Sequence, residues 1–253
     1  MDFAYFFTIM TEIKHITIKD ITEYTPCKEP ALYITSKRDV ADYLTSKGEA
    51  VCICVNSEEQ LPAFEGYKYF ITEGVQYSGH LNMVYCHIKN IPYVIGEDED
   101  FIIREECPED LPKILEMYKD RDCEKFLEPL PPLNSPPDYI TPERRYESVK
   151  NGYMLFEYGM WIIELKETNE VIGRVGFEYY DESTVSLGFM IRKDKRKKGY
   201  AFKACLSCIT YMKVNHPEIK IVAKVSKKNK ASVQLLTKLS NMLPGGVEVL
   251  VEK

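Results

Sequence analysis

A short basic segment contains the residues whose types and spacing best suit chemistry. Residues 196–201 read RKKGYA, and several further Lys and Arg residues precede them. Gly199 and Ala201 lack bulk, so backbone N–H groups near them can approach a bound ligand closely. A helix is predicted to begin at Gly199, and the unpaired N–H groups of a helix N-terminus attract anions. This pattern predicts a cradle for a pyrophosphate group.

The elements around the basic segment decide between this interpretation and simpler ones. A charge run alone is more often a solvated loop, a localisation signal or a nucleic-acid patch. Here a strand over residues 185–191 is predicted before the loop and a helix over 199–214 after it. A second strand, over 219–225, follows the helix and leads into a polar segment that contains Asn229. The order strand, loop, helix, strand favours the phosphate-binding interpretation.

This order, together with several local motifs, resembles the acetyl-CoA site of the GNAT acetyltransferases. Residues 229–239, NKASVQLLTKL, resemble a helix of that family, and residues 103–111 resemble its opening strand and helix. Residues 159–173 resemble the strand pair of the branch that includes the ribosomal-protein N-terminal acetyltransferases. The resemblance extends over residues 101–253. It implies an α/β fold with a mixed, mostly antiparallel sheet flanked by helices.

The resemblance also implies an acetyl-CoA-dependent N-acetyltransferase, in which a primary amine attacks the thioester directly. The backbone of Phe189, Met190 and Ile191 would bind the pantetheine arm like an added strand. Asn229 would bond the same arm, and it is also a candidate helix cap. The pyrophosphate would be held by the residues of the loop and the first helical turn: Arg196, Lys197, Lys198, Gly199, Tyr200, Ala201 and Phe202.

The usual catalytic pair of the family is missing at the matching positions. Ser186 stands where a Glu base is common, and Leu236 stands where a Tyr acid is common. Glu178 is the nearest alternative base, or else a solvent-facing strand residue. Ser232 is the candidate donor to the leaving thiolate, or else only a cap of its helix. The competing hypothesis is a non-catalytic regulatory module that binds acetyl-CoA.

The first part of the chain predicts a smaller, separate domain. Apolar runs at residues 31–35, 50–55 and 67–72 alternate with helical patterns, which indicates a parallel α/β sheet. Residues 93–95 are a possible last strand. The acidic stretch 96–100, GEDED, predicts a boundary that gives domains 1–98 and 99–253. The first domain faintly resembles a haloacid-dehalogenase sheet. It has no Asp-x-Asp motif within residues 1–98, so a structural or regulatory role is favoured over phosphatase activity.

Composition limits the partners of the protein. Its net charge of −6 argues against a nucleic-acid binder, but residues 192–230 hold thirteen Lys or Arg and two acids, which predicts a local anionic partner. The acidic remainder suits a cationic acceptor, such as a polyamine, an aminoglycoside or a peptide N-terminus. A monomer or a homodimer is expected. Because one strand is predicted after residue 239 where the family has two, the acceptor side is expected to be incomplete or completed by a partner subunit.

The cysteines and the apolar segment at the start of the sequence bear on the cellular location of the protein. The eight cysteines contain a single CxxC, Cys205 and Cys208, which lie one turn apart on a predicted helix. We interpret the cysteines as reduced, mostly buried thiols, and their spacing gives no expected metal site. The opening MDFAYFFTIM is too short for a membrane span and lacks the features of a signal peptide. A cytoplasmic protein without a membrane partner is therefore predicted.

Overall fold

The structure is a computed structural model that describes residues 13–72, 78–120, 125–126 and 142–252. The chain divides into two compact units, Met1–Tyr93 and Val94–Lys253. This division falls earlier than the boundary expected after residue 98. The reason is that the predicted strand at residues 93–95 is β5, Val94–Glu97, and pairs antiparallel with the first strand of the second unit. Within the acidic stretch, Gly96 and Glu97 belong to β5, and residues 98–100 connect it to β6.

The first unit contains a parallel sheet of four strands in the order β1-β2-β3-β4. Helices α1 and α2 both contact β2 and β3, and the burial of these two strands explains their continuous apolar runs. This confirms the predicted parallel α/β sheet, whereas β1 was not predicted. The elements are β1 Lys14–Thr17, β2 Ala31–Thr35, α1 Arg38–Ser46, β3 Ala50–Val55, β4 Phe70–Thr72 and α2 Ser78–Ile88.

The second unit contains a seven-stranded sheet in the order β11-β10-β9-β8-β7-β6-β5. Strands β5 to β9 pair antiparallel, and β9, β10 and β11 pair parallel. The mixed, mostly antiparallel sheet flanked by helices is therefore confirmed. Its strands after β5 are β6 Phe101–Arg104, β7 Met160–Leu165, β8 Val171–Asp181, β9 Thr184–Ile191, β10 Lys220–Ser226 and β11 Glu248–Glu252.

In the described part of the second unit, four helices lie between the strands. The helix predicted to start at Pro108 begins with a 3-10 turn, Pro108–Asp110, and continues as α3, Leu111–Tyr118. The helix α4, Pro142–Phe156, precedes β7, and most of the proline-rich segment before it lies outside the described residues. The parallel strands β9, β10 and β11 are linked by α5, Tyr200–Asn215, and α6, Lys230–Met242.

The two faces of the second sheet differ, and this positions the site. Phe177 of β8 packs edge-on against Trp161 at 6.0 Å between ring centroids, and Trp161 packs against Tyr211 of α5 at 5.4 Å. Phe177 therefore points to the α5 face. Since neighbouring residues of a strand point to opposite faces, Glu178 points away from α5. We call the face that carries Glu178 the open face.

Candidate active site

Strands β9 and β10 are paired only over part of their length. In the described chain their ladder joins Thr184, Val185 and Ser186 to residues 220–222 and contains no pair beyond them. Strand β9 continues to Ile191, and residues 187–191 stay paired with β8 on the other side. The β10-facing edge of this part of β9 therefore offers backbone donors and acceptors to a ligand, as an added strand requires.

Phe189, Met190 and Ile191 lie in this part of β9, at the positions where the pantetheine arm was expected. The side chains of Met190 and Ile191 are buried, and Met190 packs with Ile114 and Met117 of α3. Their side chains thus belong to the core, which leaves backbone groups as the part that can contact a ligand. The Arg192 N–H donates to the Ile172 carbonyl of β8, and backbone direction alternates along a strand. The backbone groups of Met190 therefore bond to β8, and those of Phe189 and Ile191 face the β10 side.

The basic loop leaves β9 at its carboxyl end and is held by its own Arg196. The Arg196 Nε donates a hydrogen bond to the Ile191 carbonyl at 2.9 Å, and its guanidinium pairs with Asp120 at 2.6 Å. Arg196 was expected among the residues that bind the ligand. Its guanidinium ties the loop to β9 and to Asp120, two residues beyond the end of α3, and so fixes the position of the loop. The ligand-binding role expected for Arg196 stays a prediction.

Gly199, a residue with a left-handed backbone conformation, connects the loop to the N-terminus of α5. Gly199 is the N-cap with φ 86° and ψ −10°, and no side chain caps this end of the helix. The amides of Tyr200, Ala201 and Phe202 form the first turn and have no acceptor within the helix. A Cβ built on Gly199 would meet no atom within 4 Å. Open space beside uncapped amides and a positive dipole end fits an anionic group such as a pyrophosphate.

Much of the positive charge near the loop is balanced by acids of the same chain. Arg192 and Lys195 both pair with Glu170, and Lys203 pairs with Asp98. The local anionic partner predicted from the thirteen basic residues is therefore supported by fewer cations than the sequence suggests. The exposed Lys197 has a φ of 64°, and the neighbouring Lys198 is exposed as well.

Asn229 and Ser232 lie at the start of α6. Asn229 caps this helix, because its side chain accepts a hydrogen bond from the Ser232 backbone N–H at 3.2 Å. The cap is thus Asn229, and the interpretation of Ser232 as the cap is wrong. Ser232 is half-buried in the first turn of α6, a helix that packs against α5 and β10. Leu236 is only 2% exposed, so this position supplies no proton donor.

Glu178 lies directly beside the position of the missing base. In the antiparallel ladder of β8 and β9 it is the cross-strand partner of Ser186. Side chains in such a pair share one face and stand about 5 Å apart at Cβ. Glu178 is exposed and Ser186 is half-buried. The structure therefore brings the carboxylate of Glu178, on the adjacent strand, next to the position where the family usually has its Glu. Ser232, in contrast, lies on a helix packed against α5.

Sequence reasoning missed a buried ionic network beneath α3. Arg104 of β6 bonds both carboxylate oxygens of Asp110, at 2.7 and 2.9 Å, and its Nε bonds Glu164 of β7 at 2.7 Å. All three residues are at most 4% exposed. Burial alone would raise the pKa of Asp110, but the hydrogen bonds and charge of Arg104 outweigh it and hold the pKa below its usual value.

A second buried ion cluster joins α4 to the sheet. Glu106 accepts hydrogen bonds from Arg145 of α4 at 2.6 and 3.0 Å and from Arg174 of β8 at 3.2 Å. Arg174 is the cross-strand partner of Met190, so the cluster adjoins the open part of β9. The only sequence signal for these networks was the run of charged residues after β6, where an apolar strand would ordinarily continue.

Comparison with known proteins identifies the family. The model of the acetyltransferase (GNAT) domain matches residues 100–240. The chain belongs to the GNAT acetyltransferases, as its β9-loop-α5 arrangement indicates. In a search of curated proteins, none matches the chain.

Several solved structures are similar to this chain at low identity. A GNAT-family acetyltransferase from Bordetella pertussis is 13% identical, with 58% of this chain and 87% of that chain covered and a TM-score of 0.46. An acetyltransferase from Bacillus anthracis is 22% identical, with coverage of 61% and 91% and a TM-score of 0.45. A ribosomal-protein-S5-alanine acetyltransferase from Vibrio fischeri is 18% identical, with coverage of 59% and 81% and a TM-score of 0.46. The haloacid-dehalogenase resemblance of the first unit is not confirmed.

Three further features concern only the described part of the chain. It contains no helix long and apolar enough to cross a membrane. No group of three or more His, Cys, Asp or Glu side chains there is arranged to hold a metal ion. The seven cysteines in these ranges form no disulfide, and Cys123 lies outside them.

Proposed function

We propose that this protein is an acetyl-CoA-dependent N-acetyltransferase that moves an acetyl group onto a primary amine. The observation that carries the proposal is the open edge of β9 leading into the uncapped N-terminus of α5 at Gly199. A ligand segment that binds like an added strand fits the edge of β9. A pyrophosphate group fits the N-terminus of α5, which follows along the chain. The acceptor is a small-molecule amine or a peptide N-terminus.

In this proposal each feature of the site has a definite task. Within the segment from Phe189 to Ile191, which includes Met190, the backbone groups that face β10 bind the pantetheine arm, and the amides from Lys197 to Phe202 hold the pyrophosphate. Bound acetyl-CoA supplies the activated acyl carbonyl. Holding the amine and this carbonyl together supplies much of the rate enhancement.

Glu178 is the proposed general base. Its exposed carboxylate on the open face can accept a proton from the attacking amine, directly or through water. Its cross-strand partner Ser186 stands where the family usually has its base. A base on the adjacent strand would serve the same side of the reacting carbonyl.

A regulatory module that binds acetyl-CoA without turnover is the second candidate. The buried Leu236, at the place of the usual acid, is the observation that favours it. The two candidates share the same cofactor site and differ only in whether an amine is acetylated.

One experiment distinguishes these functions. Acetyl-CoA affinity is measured by calorimetry, and thiol release is measured with a panel containing a polyamine, an aminoglycoside and short peptides with free N-termini. We expect binding, amine-dependent thiol release, and a loss of about 100-fold or more in turnover for Glu178→Gln. Glu182→Gln, an exposed carboxylate in the turn between β8 and β9, is the matched control and should keep full turnover. Binding with no thiol release would indicate the regulatory module, and absence of binding would refute both.

A further inference from the structure

Lys224 stands at the point where β9 and β10 stop pairing. Val222 is the last β10 residue paired with β9, and its partner there is Ser186, which is paired with Glu178 in turn. Lys224 is two residues further along β10, so its side chain shares the face of these residues. It is exposed, in contrast to its neighbours Ala223 and Val225, which are buried. Lys224 therefore lies on the open face, beside residues 187–191 of β9, which pair with β8 but not with β10.

The ammonium group of Lys224 has a defined position. Its Nζ lies 4.5 Å from the ring centroid of Tyr180 on β8. Because β9 lies between β8 and β10, this contact crosses the middle strand on the open face. A cation over a tyrosine ring gains about 0.5–1 kcal/mol at an exposed site. The contact with Tyr180 holds the positive charge of Lys224 above β9. Tyr180 itself is two residues beyond Glu178 on β8.

This position coincides with the end of the expected pantetheine path. With the pyrophosphate at the loop after Ile191, the arm follows β9 backwards through Phe189 toward Ser186. The sulfur end therefore approaches the region where the ladder to β10 begins. A leaving thiolate needs a proton or a positive charge there, and the buried Leu236 supplies neither.

We propose that Lys224, held over Tyr180, is the catalytic residue that stabilises the departing thiolate of coenzyme A. This inference rests on the proposed function. In the reaction the amine nitrogen bonds to the acyl carbon, the carbon–sulfur bond breaks, and its electron pair remains on sulfur. Glu178 takes the proton that the amine loses. Lys224 keeps its own proton and stabilises the sulfur anion by its charge.

Other charged groups share the open face and must be separated from Lys224 in a test. On the strands beside Lys224 these include Glu178 on β8, Lys220 on β10, and Glu248 and Glu252 on β11, which flank Leu250, the register partner of Lys224. The buried Arg174 of β8 also lies on this face, because its cross-strand partner Met190 shares the face of Ser186. Glu and Lys side chains ordinarily titrate outside the range of about pH 6 to 9. A phosphate monoester also titrates at about pH 6, but both ligands carry it. The difference in affinity between coenzyme A and acetyl-CoA is therefore expected to come from the thiol.

The test measures binding, without turnover, for coenzyme A and for acetyl-CoA by calorimetry between about pH 6 and 9. Lys224 lowers the pKa of the bound thiol, as a neighbouring cation does for cysteine. Binding of coenzyme A then releases a proton, and its affinity rises with pH relative to acetyl-CoA, which has no thiol to ionise. We expect a relative rise that grows with pH toward about tenfold, the limit for a shift of one pKa unit.

Variants assign this effect to the lysine. Lys224→Met should remove the relative rise, and Lys224→Arg should keep it. Tyr180→Phe should also keep it because the ring remains, whereas Tyr180→Leu should reduce it. Lys220→Met, on the same strand and face, is the matched control and should leave it unchanged. A wild-type protein without the rise, or equal curves for wild type and Lys224→Met, would overturn the role of Lys224. Failure of both ligands to bind would instead refute the proposed function.

Discussion

Substitution of Gly199 tests the cofactor site with a matched pair of variants. Gly199 has a φ of 86° and open space at the position of a Cβ. A side chain there meets no clash, and its only cost is the conformational free energy of a left-handed backbone. Asn and Asp have nearly the same size, and both enter this region more readily than other residues. The difference between Gly199→Asn and Gly199→Asp therefore isolates a single negative charge at the N-terminus of α5.

The magnitude follows from Coulomb's law. With about 5 Å between the Asp carboxylate and a pyrophosphate charge, and an effective dielectric constant between about 20 and 80, repulsion is about 1 to 3 kcal/mol for each unit charge. A pyrophosphate carries about two charges, so even the lower limit weakens binding by about tenfold or more. Gly199→Asp should thus bind acetyl-CoA at least about tenfold more weakly than Gly199→Asn.

Calorimetry with acetyl-CoA at low ionic strength is the assay, because salt screens exposed charges. Thermal unfolding of both variants serves as the control, and their melting temperatures should agree. Equal affinities for the Asn and Asp variants would show that no phosphate lies at the start of α5. The assignment of the loop and first helical turn as the pyrophosphate cradle would then be wrong.

The remaining predictions concern the second unit. Asp110→Asn removes one partner from the buried Arg104 network, so urea denaturation should show a loss of about 3 kcal/mol or more. Glu97→Gln, in an ion pair about one third exposed with Lys166, should cost less than about 1 kcal/mol. The pKa of Asp110 in the folded protein lies below the ordinary value of 3.8. The contribution of its carboxylate to the free energy of unfolding is therefore complete above pH 3.8, and it is lost as the pH falls through the folded pKa. The difference between wild type and Asp110→Asn should therefore stay constant above about pH 5 and shrink below pH 4; shrinkage on raising the pH would contradict this sign. Separately, a fragment of residues 94–253 should fold alone and bind acetyl-CoA, and one of residues 99–253 should melt at a lower temperature because it lacks β5. Equal melting temperatures would show that β5 contributes no stability to this sheet.

Local patterns in the sequence determined the elements and the order in which they occur. The apolar run of residues 160–165 is β7 with the predicted bounds, and Gly199 marks the start of α5. These signals are local because strand and helix periods, caps and turn residues act over a few positions. That order was sufficient to indicate the GNAT family and the loop that would hold a pyrophosphate.

Only the tertiary structure decided which elements pair and where pairing stops. Val94–Glu97 reads as a strand in either unit, and its partner β6 assigned it to the second. The end of the ladder at Ser186 and Val222, and the register that sets Glu178 beside Ser186, depend on contacts between distant segments. A sequence period gives the face of a residue within its strand but carries no information about its cross-strand neighbour.

The same reason explains the roles that the sequence did not reveal. Arg196 reads as a ligand-binding cation, and only folding brings Asp120 and the Ile191 carbonyl to its guanidinium. Lys224 reads as one cation among thirteen, and only the three-strand arrangement of β8, β9 and β10 places its ammonium over Tyr180. Whether a charge is available to a ligand or used within the fold is decided by its neighbours in space, because pairing depends on distance and not on separation along the chain.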